Sequence, residues 1–191
     1  MKRYDFSELC FLVLEDNPEM QRLIVNMLRG FGIRKFQTAS DGSEGFARIV
    51  EHRIDLAIVD WLAEPISGHD FVKRLRTDKG SPNPHLPVLM LTGHSERWRV
   101  EAARDAGVNE VMVKPVAPDA LLKRLIHLVE RPRPFVQTDI YFGPDRRRKP
   151  DFDYDGPNRR QELSPAEEDQ IDRITDEDGS LSPEAIDQLF T

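Results

Sequence analysis

The sequence predicts an α/β fold, with one parallel sheet covered by helices on both faces. Three observations carry this prediction. Short apolar runs alternate with amphipathic stretches from residue 9 to residue 130. Two of the runs, Leu9 to Leu14 and Leu56 to Val59, lack polar alternation, as strands buried on both faces do. Each of these two runs ends in carboxylates, and the first passes directly into a helix-start signal, Asn17-Pro18.

The elements follow in order. After the first strand, Asn17 caps a helix that runs to Gly30 and sets Met20, Leu23, Ile24, Met27 and Leu28 on one face. Residues 36–39 read as a second strand and 43–51 as a second helix. Residues 55–60 form a buried strand ending in Asp60. A helical stretch at 71–76 is closed by the loop Gly80-Ser81-Pro82-Asn83-Pro84. Residues 87–92 are a fourth strand, 95–106 a helix stopped by Gly107, 110–113 a fifth strand and 118–129 a last helix.

Arg131-Pro132-Arg133-Pro134 breaks this rhythm, so the domain is expected to end at residue 130, with a polar extension over 131–191. Charge divides the chain in the same way. Residues 1–130 hold 18 Lys/Arg against 19 Asp/Glu. Residues 131–160 hold 8 against 5, a basic Gly-Pro/Arg linker, and 161–191 hold 1 against 10, an acidic segment. Such blocks mark solvated or interaction segments rather than a packed core. Short acidic helices are expected after Ser164 and Ser182.

Composition excludes several classes. A hydrophobic fraction of 39% and a charged fraction of 32% suit a soluble protein. No apolar run approaches the roughly 18 residues that span a bilayer, and the start lacks a signal peptide's apolar segment, so a cytoplasmic chain without membrane contact is expected. The single cysteine, Cys10, excludes an intrachain disulfide and a cysteine zinc cluster. The body offers no broad basic field for nucleic acid.

The chemistry concentrates at strand ends. Glu15 and Asp16 follow the first strand, Asp60 ends the third, Thr92 the fourth, and Lys114 follows the fifth. In an open parallel sheet these ends share the edge where ligands bind. Three carboxylates gathered there need a cation, and hard oxygen donors suit Mg2+, which favours a phosphate as a further ligand. A lysine and a hydroxyl beside it would complete a cradle for a phosphoryl group, with Asp60 the best candidate to form an acyl phosphate.

Val13-Leu14-Glu15-Asp16-Asn17, Asp60 with Gly68 eight residues on, Leu91-Thr92 and Lys114-Pro115 together resemble the receiver domain of bacterial two-component response regulators, in particular its chemotaxis-regulator class. The resemblance implies a flavodoxin-like five-stranded parallel sheet of order 2-1-3-4-5 flanked by five helices, followed here by a mostly irregular tail. It implies that Asp60 accepts phosphoryl from a histidine kinase or histidine phosphotransferase. Glu15, Asp16, Asp60 and the backbone carbonyl of Leu62 would hold Mg2+, Lys114 would pair with the phosphoryl oxygens, and Thr92 would move to bond them. Signalling would proceed by protein contact, without a DNA-binding output unit, and a homodimer through the last-helix face is compatible with the family.

Two departures accompany the resemblance. Pro65 stands one place later than the family's usual Met-Pro after the acceptor, and Val111 occupies the position of the usual aromatic switch residue. His94, two residues after Thr92, faces the site in the family pattern. The extension repeats Gly143-Pro144-Asp145-Arg146-Arg147 as Gly156-Pro157-Asn158-Arg159-Arg160. Arginine pairs grip carboxylates or phosphates in bidentate fashion, so Arg146, Arg147, Arg159 and Arg160 are candidate partner contacts. They support an alternative reading, a phosphorylation-independent adaptor acting through its tail. A haloacid-dehalogenase-like hydrolase would need a second aspartate two residues after Asp60, where Leu62 stands.

Overall fold

A computed structural model describes residues 5–138 and 140–146. Its five-stranded sheet has the order β2-β1-β3-β4-β5 with every neighbouring pair parallel. The strands are β1 (Cys10–Leu14), β2 (Lys35–Ala39), β3 (Leu56–Asp60), β4 (Val88–Thr92) and β5 (Glu110–Val113). The helices between and after them are α1 (Pro18–Gly30), α2 (Gly42–Glu51), α3 (Gly68–Thr77), α4 (Arg97–Asp105) and α5 (Pro118–Glu130). This is the expected flavodoxin-like architecture.

Side-chain alternation along the strands makes two cores. Phe11, Val13, Leu56, Ile58, Leu89 and Leu91 pack with Ile24 and Leu28 of α1 and Leu121 and Leu125 of α5. Leu12, Leu14, Ala57, Val59, Val88 and Met90 face the other way, against Phe46 and Ile49 of α2, Phe71 and Leu75 of α3, and Val100 of α4. Both faces of the central strands are thus dry, which is why these strands read as unbroken apolar runs.

Helix starts follow local chemistry. Asn17 accepts from the Glu19 and Met20 amides, and Asp41 accepts from those of Ser43 and Glu44. Ser67 caps α3 through the Asp70 amide, so α3 begins three residues before the expected Phe71. Cys10, at the start of β1, is half-buried, and burial pushes its thiol pKa up, as expected of a packed rather than a reactive cysteine.

The stretch expected to be linker contains a hairpin of β6 (Phe135–Gln137) and β7 (Phe142–Pro144), paired antiparallel. It packs beneath the N-terminal ends of β4 and β5. His85 sits between the rings of Phe135 and Phe142, at centroid distances of 4.9 and 5.0 Å. Gly107, at φ +90°, turns α4 into β5 beneath the hairpin, and a Cβ there would press on Arg76 and on the Phe142 carbonyl. Arg76 is buried at this junction and donates to the carbonyls of Pro84, Leu86 and Gly107 and to Asn109 Oδ1. Burial pushes its pKa down to about 9, since among the described residues no carboxylate pairs with it.

Candidate functional site

The strand order changes direction between β1 and β3, and this switch point is where sheets of this kind open a ligand crevice. Glu15 leaves the end of β1 there, and Asp60 ends β3 beside it. Asp60 is 5% exposed and Glu15 2% exposed, so both carboxylates are largely withdrawn from water. Lys114, past the end of β5, reaches across β4 to both. Its Nζ lies 2.7 Å from Asp60 Oδ1 and 2.9 Å from Glu15 Oε2. The Lys114 amide also donates to the Thr92 carbonyl at 2.7 Å, which ties this lysine to the end of β4.

The electrostatics of this trio are unequal. Burial pushes Glu15 above the usual carboxylate range; the Lys114 hydrogen bond offsets part of that, and the Asp60 charge adds to it. Burial works against the Lys114 ammonium as well, but its bonds to Asp60 and Glu15 outweigh that and hold its pKa above the ordinary lysine value. One ammonium is therefore shared between two carboxylates that repel each other.

Asp16 is the exposed member of the group. Ligand oxygens of Glu15, Asp16 and Asp60 all lie within 4.8 Å of one another, so that among the described residues this cluster could hold a metal ion. Three carboxylates against one ammonium leave two negative charges to neutralise. An all-oxygen donor set with one water-facing member fits a hard divalent ion that keeps part of its hydration shell. The residues present thus fit Mg2+.

The loop after Asp60 folds back on its carboxylate. The Leu62 amide donates to Asp60 Oδ2 at 3.2 Å. The loop then passes a cis Glu64–Pro65 peptide, where Pro65 stands one place late. Gly68 donates its amide to the Trp61 carbonyl and opens α3 directly against the Asp60 backbone. The Trp61 ring lies 5.1 Å from that of His69.

Thr92 is buried at the end of β4 and is engaged within its own loop. Its hydroxyl donates to the His94 carbonyl at 3.0 Å and accepts from the His94 amide at 3.1 Å. His94 itself is exposed, with its ring nitrogen 3.5 Å from Glu96. Val111 is 1% exposed and belongs to the core on the α2–α4 side, while Trp98 is 59% exposed.

Among the arginine candidates, Arg146 stacks 3.9 Å above the Tyr141 ring and pairs with Asp105 at 2.8 Å. Arg147, Arg159 and Arg160 lie outside the described residues, as do the expected helices after Ser164 and Ser182. Sequence reasoning missed Gln21, whose amide reaches back from α1 to the carbonyls of Glu15 and Ala39. It also missed the hairpin and the Leu62 amide bond to Asp60.

Fold and site together define a doubly wound α/β domain with an acidic cluster and a bridging lysine at its switch point. Residues 11–126 match the family model of the response regulator receiver domain, and the chain belongs to that family of two-component signalling domains. It is 33% identical over 120 residues to the chemotaxis protein CheY-3 of Vibrio cholerae, covering 63% of this chain and 91% of the relative. The solved structure of Vibrio cholerae chemotaxis protein CheY4 superposes with a TM-score of 0.57 at 29% identity, covering 61% of this chain and 95% of that one. The receiver domain of a sensor histidine kinase from Pseudomonas aeruginosa, solved with a magnesium ion coordinated in its active-site cleft, superposes with a TM-score of 0.55 at 26% identity. It covers 62% of this chain and 94% of that one. No helix of the described residues is long and apolar enough to cross a membrane.

Proposed function

We propose that this chain is a phosphoacceptor whose Asp60 takes a phosphoryl group from a phosphohistidine donor. The observation that carries the reading is the Lys114 ammonium held between Asp60 and Glu15, with Asp16 completing the acidic cluster. In the transfer, an Asp60 carboxylate oxygen attacks phosphorus. A phosphorus–oxygen bond forms as the phosphorus–nitrogen bond breaks, and the departing imidazole takes a proton from solvent. Glu15, Asp16, Asp60 and the Leu62 carbonyl are the groups assigned to Mg2+, which offsets phosphoryl charge when bound. Lys114 pairs with a phosphoryl oxygen. Thr92 bonds another after giving up its donation to the His94 carbonyl. The chain acts on its own aspartate rather than turning over a separate substrate.

The added charge then biases which partner protein binds the domain. Donor kinase or phosphotransferase, downstream protein and a homodimer through the α5 face all belong to this proposal. So does the division of the chain near residue 130, with the 135–144 hairpin grouped with the receiver because it packs on Arg76, His85 and Gly107. The adaptor reading draws less support, since Arg146 is already engaged by Asp105 and Tyr141.

Intact-mass spectrometry after incubation with acetyl phosphate and Mg2+ tests the chemistry. One phosphoryl adduct on the wild type, absent from Asp60→Ala and absent under EDTA, is the expected result. An adduct that survives Asp60→Ala, or none on the folded wild type, overturns it.

A further inference from the structure

The three carboxylates of the acidic edge are placed by different means. Asp60 is held by Lys114 and by the Leu62 amide, and Glu15 by Lys114. The Asp16 carboxylate makes no hydrogen bond or ion pair with any described residue, yet it lies within 4.8 Å of the other two. Its position is therefore set by its backbone, above all by the Glu15–Asp16 peptide from which it departs.

That peptide has a specific fastening. Beyond β1 the Glu15 carbonyl has left the strand pairing and would otherwise hang at the edge of the sheet. Gln21, one turn into α1, turns its side-chain amide back and donates to the Glu15 carbonyl at 3.1 Å and to the Ala39 carbonyl at 3.0 Å. Both partners are acceptors, so the amide nitrogen, and not its oxygen, must face them. The Ala39 carbonyl also accepts from the Glu15 amide at 3.0 Å, so both sides of residue 15 are fixed to the end of β2. Asn17, which caps α1, fixes the helix that carries Gln21, and the Gln21 backbone N–H in turn donates to the Asn17 carbonyl at 2.9 Å.

We infer that Gln21 is a positioning residue for the divalent cation. It locks the Glu15–Asp16 peptide so that the unpartnered Asp16 carboxylate is presented toward Glu15 and Asp60 before any ion arrives. The inference rests on the reading of this edge as an Mg2+-dependent phosphoacceptor site. Groups that orient metal ligands from behind typically change metal affinity by about 10–100-fold when removed. Because Gln21 acts through one peptide rather than on a ligand atom, the lower end of that range applies.

The test uses the full chain with Gln21→Met, which keeps length and removes both donors, and Gln21→Ala. Mn2+ binding is followed by electron paramagnetic resonance of the free ion, and melting of the metal-free protein is measured in parallel. The expected result is a Mn2+ dissociation constant raised about tenfold in both variants, with metal-free melting within about 3 °C of the wild type. In acetyl phosphate labelling the half-saturating Mg2+ concentration rises by the same factor, while the rate at saturating Mg2+ returns to the wild-type value. Unchanged affinity in the folded variants overturns the role of Gln21 and leaves the site reading intact. A labelling rate that saturating Mg2+ does not restore, with melting lowered in step, makes Gln21 structural only. A wild type that binds no Mn2+ overturns this inference together with the site reading beneath it.

Discussion

Gly68 sits directly against the Asp60 carbonyl oxygen, so closely that a side chain on Gly68 would overlap both that oxygen and the Val59 side chain. The start of α3 is thereby pressed onto the backbone of the acidic edge. The interval of eight residues between Asp60 and Gly68 is thus a packing requirement as well as a sequence signature.

Gly68→Ala should therefore damage the domain from the acceptor side. The backbone oxygen cannot rotate away as a flexible side chain could. We expect a loss of about 1–3 kcal/mol, the usual cost of overpacking, read as a lower urea midpoint. Asp60 labelling by acetyl phosphate should fall with it, because the loop that carries the Leu62 amide has to shift. A variant with wild-type stability and labelling would show that α3 can slide free of β3.

Arg76→Met should cost more than its surface neighbours do. The aliphatic stem is retained, but the carbonyls of Pro84, Leu86 and Gly107 lose their donor, while Asn109 Oδ1 keeps only the Val88 amide. Each buried acceptor left unpaired costs about 1–3 kcal/mol, part of which water entry recovers, so a net loss of about 3 kcal/mol is expected by guanidinium denaturation. The Phe135 ring lies 5.0 Å from the guanidinium, so the hairpin amides of Thr138 and Asp145, which bond the Tyr141 and Pro134 carbonyls, should lose exchange protection in the same variant.

Glu110 gives the fold a pH dependence. Burial raises its pKa from 4.5 to about 7, against the opposing pull of Arg124 at 2.9 Å and of Arg133. His127 stands 3.7 Å away on the other oxygen, its own pKa lowered first by burial and then by Arg133, Arg124 and Arg131. The folded chain therefore holds the Glu110 proton more tightly than the unfolded chain does. Its contribution to stability is fully present below about pH 4.5 and is lost as pH rises through about 7. Between pH 5 and pH 8 the wild type should lose on the order of 1–3 kcal/mol relative to Glu110→Gln, measured by urea denaturation at each pH. The opposite slope would mean that the Arg124 pair governs the ionisation.

Much of this site could be read from strand ends. Glu15, Asp16, Asp60, Thr92 and Lys114 were legible because each closes or follows a strand, and a parallel sheet gathers such ends on one edge. Asn17-Pro18 was legible because capping is local chemistry. The start of α3 was not, since Gly68, His69 and Asp70 offer no apolar periodicity and only Ser67 marks the cap. The hairpin escaped because its strands are three residues each and hold through His85, Arg76 and Gly107, which are remote in sequence. Gln21 escaped for another reason. Its partners are backbone carbonyls, which no residue pattern advertises, and its position on α1 reads as an ordinary polar one.

The Arg146–Asp105 pair also fixes a point of departure for the rest of the chain. Asp105 ends α4 at the opposite edge of the sheet from Asp60, a distance of roughly 15–20 Å set by five-residue strands. While it holds Asp105, the Arg146 guanidinium is therefore out of reach of the acidic edge of its own domain, and a partner's carboxylate or phosphate has to displace Asp105 to gain it.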